Sequence, residues 1–587
     1  MHFPLRNSSA VVALLLACIG TLAQPAIPTT LAEHGPVPTA SHGQPDVSFD
    51  NHGSRWSKRH GRGSLGKRAR VAEEAEEHRK RYWKVSSVWI DDEEAKASAV
   101  HRMTTTITVT VDAPTETAVT DILAVTTTSE AAVATITTPV EFTLAPTTID
   151  IVIPRPAIVH TNATVVEPFT TPKESTNGKL VFAHFMVGIV STYAMNDWVY
   201  DMTLASSYGI DGFALNIGKD DYTDAQLSLA YEAAKGLGFK VFISFDFNWF
   251  SVSDTQPVTA IINKYVDHPA QFKLPGTNSA YVSTFAGDGF NWDAVRKETG
   301  KDIYVVANWQ ATEDNAANSG VQGLFSWYAW PSENNRPINK MMDTAADVKY
   351  LEVVAEEQKT YMAPVSPWFF THFGKEVPYS KNWLFLSETL WYDRWQQILE
   401  LQKDLQYLEI VTWNDYGESH HVGPFDTPHT DDGSSKWAKD MPHDAMLEFA
   451  KPYIAAFKTG SSTPIIERDM LVYWHRPTLK NVECDATDNC GSRPEGWEML
   501  ADEVFVAAFA RSPGKVQVTS GSNTVYEQDV PVGVTMMRVP MGPGNQDFHF
   551  TTNAGTDAKG TSAQSVRSSC INGIYNYNFI SGLLLGA

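Results

Sequence analysis

The stretch YLEIVTWNDYGESHH, residues 407–421, is the part of this 587-residue chain around which the rest is organised. Its first seven residues are mostly apolar or β-branched, as in a buried strand, and polar side chains follow at once. Asp415 and Glu418 lie three residues apart, and Gly417 between them permits a sharp turn of the backbone. Loops that a rigid scaffold supports commonly carry chemistry. An isolated pair of this kind more often lies in a solvated turn, so the surrounding sequence is needed to distinguish a functional site from such a turn.

Seven further apolar runs of strand length precede this one and alternate with helical segments. The eight strand candidates are, in order, 179–188, 212–218, 240–247, 280–287, 302–309, 323–330, 361–370 and 407–413. Helical spacing of apolar residues marks the segments between them. This alternation predicts an α/β fold, a (β/α)8 TIM-type barrel over residues 177–460. A doubly wound open sheet is the alternative, weakened because the first strand lacks a Gly-rich dinucleotide-binding turn after it.

The sequence changes character on both sides of this barrel. Short strands separated by Gly, Pro and Asn predict a C-terminal β-sandwich-like accessory domain over residues 461–587; strands that decorate the barrel without a core of their own are the alternative. Residues 24–176 are rich in Thr and Pro, which predicts a disordered, glycosylated linker or stalk. The alternation within this region could instead mark an edge of β-structure, but its prolines favour a stalk.

The first 23 residues predict a secreted protein. Arg6 is followed by an apolar run at 10–19 and by small residues at 21–23, as in a secretory signal peptide. The apolar run is too short to span a bilayer, and we expect no membrane span elsewhere. Asn162 begins an N-glycosylation sequon. We therefore expect an extracellular or cell-wall-associated glycoprotein, and a monomer.

Charge and cysteine content narrow the classes of function. With 46 basic and 68 acidic residues the net charge is -22, which argues against nucleic acid as the main partner. An oxidising compartment and the short CDATDNC loop predict a disulfide between Cys484 and Cys490, with Cys570 either free or paired to one of them. Cys18 lies in the predicted signal peptide, and the three remaining cysteines, without clustered histidines, argue against a zinc site. We expect neither a metal nor a cofactor.

The active site of such a barrel lies where the strands end. Carboxylates, amides and aromatic side chains collect at these positions, a combination typical of sugar binding, because Trp faces stack on pyranose rings. The predicted substrate-binding residues are His184, Asn216, Asp246, Trp309, Trp327, Trp330, Trp413, Asn414 and Tyr416. Each has a plainer interpretation: His184 as a hydrogen-bonded core histidine, the tryptophans as core, and Asp246 as the partner of an arginine.

Several of these motifs together resemble a known family. FAHFMVG (182–188), GIDGFALNIG (209–218), KVFISFDF (240–247), GLFSWYAWP (323–331) and VTWNDYGESHH (411–421) resemble the fungal α-1,3-glucanases, or mutanases, of glycoside hydrolase family 71. The resemblance runs from about Lys179 to the end of the chain. It implies a catalytic (β/α)8 barrel followed by a β-sandwich, hydrolysis of α-1,3-glucan with inversion, and catalytic roles for Asp415 and Glu418. The long N-terminal segment departs from that compact pattern.

Glycoside cleavage needs one group that protonates the leaving oxygen and another that acts at the anomeric carbon. From the sequence we assign Glu418 as general acid and Asp415 as general base, with Asp246 in reserve to position the water or the sugar. Two other functions remain open: a barrel glycosidase acting on another α-linked glycan, of the endo-α-mannosidase kind, and a cell-wall protein that binds glycans without catalysis.

Overall fold

The structure is a computed structural model that describes residues 178–586 and two short strands before them, Thr106–Val109 and Ile149–Val152. These two strands pair antiparallel, so at these positions the alternation marks β-structure, the alternative to a stalk. The predicted signal peptide, Asn162 and the rest of 24–176 lie outside the described residues.

Within residues 178–586, eight parallel strands close into a barrel and confirm the predicted architecture. They are β1 (Leu180–Met186), β2 (Gly212–Ile217), β3 (Lys240–Asp246), β4 (Ala280–Phe285), β5 (Ile303–Ala307), β6 (Gly323–Phe325), β7 (Thr360–Val365) and β8 (Tyr407–Ile410). Seven lie within the predicted runs, and β7 begins one residue before its run. Strand β8 pairs with both β1 and β7, which closes the barrel.

A helix follows each strand before the next one begins. These helices are α1 (Met195–Ser207), α2 (Thr223–Leu237), α3 (Thr255–Tyr265), α4 (Trp292–Thr299), α5 (Glu313–Ala317), α6 (Ala345–Glu356), α7 (Leu390–Leu401) and α8 (Ala445–Thr459). Glycines in the left-handed conformation end α2, α4 and α8, as the glycines after these segments predict. Among the described residues, no helix is long and apolar enough to cross a membrane.

Side chains alternate between the two faces of the barrel wall, as the period of two along a strand requires. In β1, Val181, Ala183 and Phe185 pack outward in the layer shared with the helices. Phe182 instead joins an aromatic cluster inside the barrel, with its ring 4.9 Å from that of Phe242 and 6.0 Å from that of Tyr407. This cluster fills the interior, so the polar inward residues further along the strands face the carboxyl end.

The C-terminal region forms two four-stranded antiparallel sheets. In chain order its strands are β9 (Met470–His475), β10 (Glu503–Ala510), β11 (Gly514–Ser520), β12 (Tyr526–Val530), β13 (Gly533–Pro540), β14 (Gln546–Thr552), β15 (Asp557–Thr561) and β16 (Ile580–Leu585). A separate apolar cluster lies between the sheets, which confirms a β-sandwich with its own core. The other face of β9 and β10 packs on the barrel, where Phe449 of α8 contacts Trp474 and Phe509.

A β-hairpin is inserted between β7 and α7. Its strands, Phe370–Phe373 and Lys381–Leu384, pair antiparallel, and we call residues 370–384 the Lys381 hairpin. The smaller elements are the paired strands Ser332–Glu333 and Arg336–Pro337, the short helix Ser435–Ala438, and 3-10 turns at Val187–Ile189 and Trp497–Met499.

The disulfide joins Cys484 to Cys570, so the predicted pairing of Cys484 with Cys490 is wrong. The backbone explains why. The N–H groups of Thr487 and Asp488 donate to the carbonyl of Cys484, which winds the loop into a turn. The Cys490 N–H then donates to the Asp488 carboxylate at 2.7 Å, and its thiol faces the carbonyl of His372 at 3.8 Å. Cys490 therefore points toward the Lys381 hairpin and is free.

Candidate active site

Residues 413 and 414 extend the barrel wall beyond the end of β8. The Trp413 N–H donates to the His184 carbonyl at 2.7 Å. The Asn414 side chain accepts from the Met186 N–H at 2.7 Å and donates to the Met186 carbonyl at 3.2 Å. The Trp413 ring is buried against Phe213. These two side chains fix the start of the loop and are buried, and their role in binding substrate stays a prediction.

The predicted catalytic pair, Asp415 and Glu418, stands on the turn that follows. The Asp415 N–H donates to the Thr412 hydroxyl at 2.8 Å, and the Asp415 carboxylate accepts from the Glu418 N–H at 3.0 Å. The Glu418 carbonyl in turn accepts from the Phe370 N–H of the Lys381 hairpin at 3.1 Å. One oxygen of each carboxylate lies within 4.8 Å of the other. Both side chains stay about one-fifth exposed, at 18% and 19%, so a ligand can reach them.

The sharp backbone turn in this loop lies at Ser419, not at Gly417. Ser419 adopts a φ of +58°, in the left-handed region. Gly417 allows close packing: a Cβ there would lie 3.1 Å from both the Asp432 carboxylate and the Phe373 ring, so these side chains would have to shift slightly. The glycine thus lets the loop pack closely beneath the pair.

His420 is fully buried beneath both carboxylates. Its Nε2 lies 3.1 Å from Glu418 Oε2 and 3.7 Å from Asp415 Oδ2. Its Nδ1 lies 3.1 Å from the Thr412 hydroxyl, which already accepts from the Asp415 N–H and so has its own hydrogen to donate. One tautomer, with the hydrogen on Nε2, satisfies both contacts. His420 therefore donates to Glu418 and links the two acids.

Lys381 supplies the positive charge of the site. Its ammonium donates to Glu418 Oε1, and the charges of Glu418 and Asp415 raise the pKa of Lys381 although burial opposes them. Burial alone would raise the pKa of Glu418, but the Lys381 ammonium and the hydrogen bond from His420 outweigh it and hold that pKa at about 2. Sequence reasoning missed Lys381 because it stands on an inserted hairpin and not at a strand end.

Asp415 behaves in the opposite way. Burial raises its pKa, and the negative charge of Glu418 raises it further, while His420 and Lys381 oppose the shift. A proton taken up by the pair therefore resides on Asp415, while Glu418 stays ionised. This distribution of the proton is the opposite of the one that the acid and base roles assigned from the sequence require, and those roles stay a prediction.

A second polar layer lies deeper in the barrel mouth. His184 Nδ1 lies 2.6 Å from an oxygen of Glu409, and both side chains are buried. Burial raises the pKa of Glu409, against the opposing effect of His184. Asp246 is 8% exposed, and burial raises its pKa to about 6, against the Asn248 N–H and His184. Asn216 is also buried and inward-facing. Glu409 was missed, although the period of two in YLEIVTW places it inward.

Of the predicted tryptophans, Trp327 is the one in this region that retains exposed surface. Its ring stands edge-on to His184 and His420, at centroid distances of 4.8 and 6.5 Å, and so connects the two polar layers. The loop after β3 adds Trp249, which is 52% exposed. A Cβ on Gly218, after β2, would come within 3.0 Å of the Trp249 ring. Trp249 therefore spans the ends of β2 and β3.

Three further predicted substrate contacts are buried and lack an open face for a sugar. Trp309 lies wholly in the layer between strands and helices. Trp330 donates from its indole N–H to the Trp368 carbonyl at 2.7 Å and packs against His420. Tyr416 is 2% exposed and donates to the Pro424 carbonyl at 2.9 Å. Their role in binding substrate stays a prediction, and in this structure Trp330 supports His420 from the side.

Two groups of side chains in the described residues have the composition of a metal site. Asp415, Glu418 and His420 form one, but the Lys381 ammonium already lies against Glu418 and supplies the positive charge there. His372, Asp488 and Cys490 form the other. Both ring nitrogens of His372 are already hydrogen-bonded, to Asn382 and to Asp488. The first group can hold a proton on Asp415 while Glu418 stays ionised, the arrangement that general acid and base catalysis needs.

Comparison with known proteins agrees with this chemistry. The profile of glycosyl hydrolase family 71 matches residues 177–586. A mutanase of Penicillium rubens is 48% identical over 412 residues, which cover 70% of this chain and 89% of the relative. A glucan endo-1,3-alpha-glucosidase of Schizosaccharomyces pombe is 36% identical over 423 residues, 69% of this chain and 95% of the relative. A solved GH99 endo-alpha-mannosidase from Bacteroides thetaiotaomicron is 15% identical, with a TM-score of 0.36 over 48% of this chain and 98% of its own.

Proposed function

Because the chain belongs to glycosyl hydrolase family 71, we propose that it cleaves the α-1,3-glucosidic bonds of α-1,3-glucan with Asp415 and Glu418. Membership confirms the resemblance found in the sequence and makes the chain a glycoside hydrolase. The observation that carries the proposal is the pair itself: two partly exposed carboxylates at the mouth of the barrel, one ionised and the other with a raised pKa. The names of the two relatives support the choice of linkage.

Asp415 is the proposed general acid. An acid catalyst has to hold its proton near the working pH, and burial beside an ionised Glu418 gives Asp415 that property. Glu418 is the proposed general base, ionised by Lys381 and able to accept a proton from water. A carboxylate has about four acceptor positions, so Glu418 can hold Lys381, His420 and a water at once.

The proposed stereochemical course is inversion. Both oxygens of Glu418 are engaged, one by Lys381 and one by His420, which favours deprotonation of a water over a covalent bond to the anomeric carbon. The nearest oxygens of the pair lie within 4.8 Å. Inverting enzymes separate their carboxyl groups by about 6.5–9.5 Å and retaining enzymes by about 5–5.5 Å. Inversion therefore requires the pair to separate when substrate and water enter.

The exposed aromatic faces supply the proposed sugar contacts. Trp327 stands beside the pair and Trp249 is open at the rim, so each can stack on a pyranose ring. Asp246 and Asn216 lie deeper, where a carboxylate and an amide can accept from sugar hydroxyls. The predicted signal peptide supports secretion, with action on extracellular or cell-wall glucan as a monomer.

Product analysis tests the substrate and the class of function together. The secreted full-length protein is incubated with insoluble α-1,3-glucan and, separately, with an α-mannan, and soluble products are sized. We expect oligosaccharides or glucose from the glucan alone. Release from mannan alone would favour the endo-α-mannosidase alternative, and binding to glucan without any release would favour the non-catalytic protein.

A further inference from the structure

The C-terminal domain holds the Lys381 hairpin through a network of backbone and side-chain contacts. Its segment 492–495 runs along the second strand of the hairpin. The Leu384 N–H donates to the Glu495 carbonyl and the Glu495 N–H donates to the Asn382 carbonyl, each at 3.0 Å. The Asn382 side chain also donates to the Ser492 carbonyl at 3.0 Å. The C-terminal domain thus lies beside the hairpin strand that begins with Lys381 and is hydrogen-bonded to its backbone.

A buried hydrogen bond between His372 and Asp488 fixes the other strand of the hairpin. His372 Nε2 lies 2.7 Å from the Asp488 carboxylate, and both side chains are 0% exposed. His372 Nδ1 lies 2.7 Å from the Asn382 side-chain oxygen, across the hairpin. The same Asp488 oxygen accepts from the Tyr575 N–H at 2.6 Å. Asp488 therefore ties the hairpin to the C-terminal tail of the chain.

The disulfide closes this arrangement. Cys484 begins the loop that contains Asp488, and its bond to Cys570 joins that loop to the tail just before Tyr575. At the tip of the hairpin, the Asn489 side chain donates to the Glu376 carboxylate at 2.7 Å. We call residues 484–495 the clamp. Its contacts run along both strands and the tip of the hairpin, so the position of Lys381 depends on the C-terminal domain.

The position of Lys381 matters because two acids lie close together. Carboxylates within 4.8 Å repel each other when both are ionised, and burial penalises each charge. His420 donates to Glu418 at 3.1 Å and also lies 3.7 Å from Asp415, so it contacts both acids and favours the ionised form of Glu418. Lys381 donates to the other oxygen of Glu418 and adds a full positive charge there, which makes the pair more asymmetric.

We propose that Lys381 is a positioning residue that determines which acid of the pair is ionised, and that the clamp of the C-terminal domain sets its ammonium against Glu418. The inference rests on the proposed function of the pair. It makes the C-terminal domain part of the active site, beyond the role of an accessory domain. Loss of the clamp and loss of the lysine should then have the same consequence for the reaction.

The test compares wild type, Lys381→Met and Lys381→Arg by the pH dependence of kcat/KM on a soluble α-1,3-glucan oligosaccharide. Removing the cation should move both limbs of the profile to higher pH, by about 1–2 pH units on the acidic side, since an opposite charge at this distance shifts a carboxyl pKa by about 1–3 units. Lys381→Arg keeps the charge and should keep the limbs near those of wild type. A folded Lys381→Met variant with unchanged limbs would overturn the inference.

The clamp is tested by Asp488→Asn, with Asp547→Asn as the matched control on the outer sheet, where the residue is exposed and accepts a hydrogen bond from Thr561. Asp488→Asn should move the limbs of the kcat/KM profile to higher pH, as Lys381→Met does, and Asp547→Asn should leave them unchanged. If Asp488→Asn does not fold, Asn489→Ala replaces it. A folded clamp variant with the wild-type profile would contradict the clamp.

A second measurement separates this inference from the proposed function. Carbon-13 NMR of the side-chain carboxyl groups, with Glu418→Gln to assign the Glu418 signal, follows the titration without any substrate. Glu418 should titrate at higher pH in Lys381→Met than in wild type. If the Glu418 titration shifts but wild type does not hydrolyse glucan, the proposed function is refuted and the role of Lys381 stands. If wild type hydrolyses glucan but the titration does not shift, the role of Lys381 is refuted.

Discussion

Replacing Cys570 by Ser should destabilise the C-terminal domain strongly, because the Cys484–Cys570 bond closes a long loop. The two cysteines are 86 residues apart in sequence. Chain-entropy reasoning gives about 4.6 kcal/mol for a loop of that length and about 2.4 kcal/mol for the 484–490 loop. A mutation distinguishes the two pairings, because Cys570→Ser removes a Cys484–Cys570 disulfide and leaves a Cys484–Cys490 disulfide intact.

Thermal unfolding of wild type, Cys570→Ser and Cys490→Ser, each with and without reductant, measures this effect. Cys570→Ser should lower the Tm to near that of reduced wild type, and reductant should then change it little. Cys490→Ser should stay close to oxidised wild type, since its thiol makes one long contact, to the His372 carbonyl at 3.8 Å. A non-reducing peptide map that links Cys484 to Cys490, together with a neutral Cys570→Ser, would refute the reasoning.

Three further predictions concern the barrel. Trp249→Ala should raise the KM for glucan several-fold with little change in stability, since the ring is 52% exposed. Trp309→Ala in the core should lower the free energy of unfolding in urea by about 3–5 kcal/mol. An equal loss of stability in both variants would contradict the assignment of Trp249 to the surface site and Trp309 to the core. The folded state raises the pKa of Asp246 to about 6, so this carboxyl lowers stability as the pH rises from about 4 to 6, and the loss persists at higher pH. Asp246→Asn should therefore be more stable relative to wild type at pH 7 than at pH 4. A stability difference that does not change with pH would refute the shift in pKa. Proton NMR of the first sugar released should show the β-anomer before mutarotation, and an initial α-anomer would instead make a carboxylate the nucleophile.

The barrel could be predicted because its strands are covered on both faces. Such strands are continuous apolar runs, and eight of them alternating with helices leave few other folds. The period of two along a strand then places His184, Asn216 and Asp246 on the inner face, where the structure has them. Asp415 and Glu418 could be found because they directly follow the last strand.

Local sequence could not show which partners come from distant parts of the chain. Lys381 reaches Glu418 from an inserted hairpin, and Cys570 reaches Cys484 from 86 residues further along the chain. The tryptophans at strand ends could not be sorted by type alone, because Trp309 packs under a helix while Trp327 faces the mouth. Strand β12 was missed because its sequence, YEQDV, is polar at the edge of its sheet, with a buried residue only at its end.

The most direct measurement of the central claim is sugar release from α-1,3-glucan by wild type, Asp415→Asn and Glu418→Gln, with binding to insoluble glucan measured in parallel. Wild type should release soluble sugar, and each variant should lose about 10²–10⁴-fold in kcat, since each lacks a group that moves a proton in the transition state. Both variants should still bind the glucan and unfold like wild type. Near wild-type turnover in either variant would contradict the account.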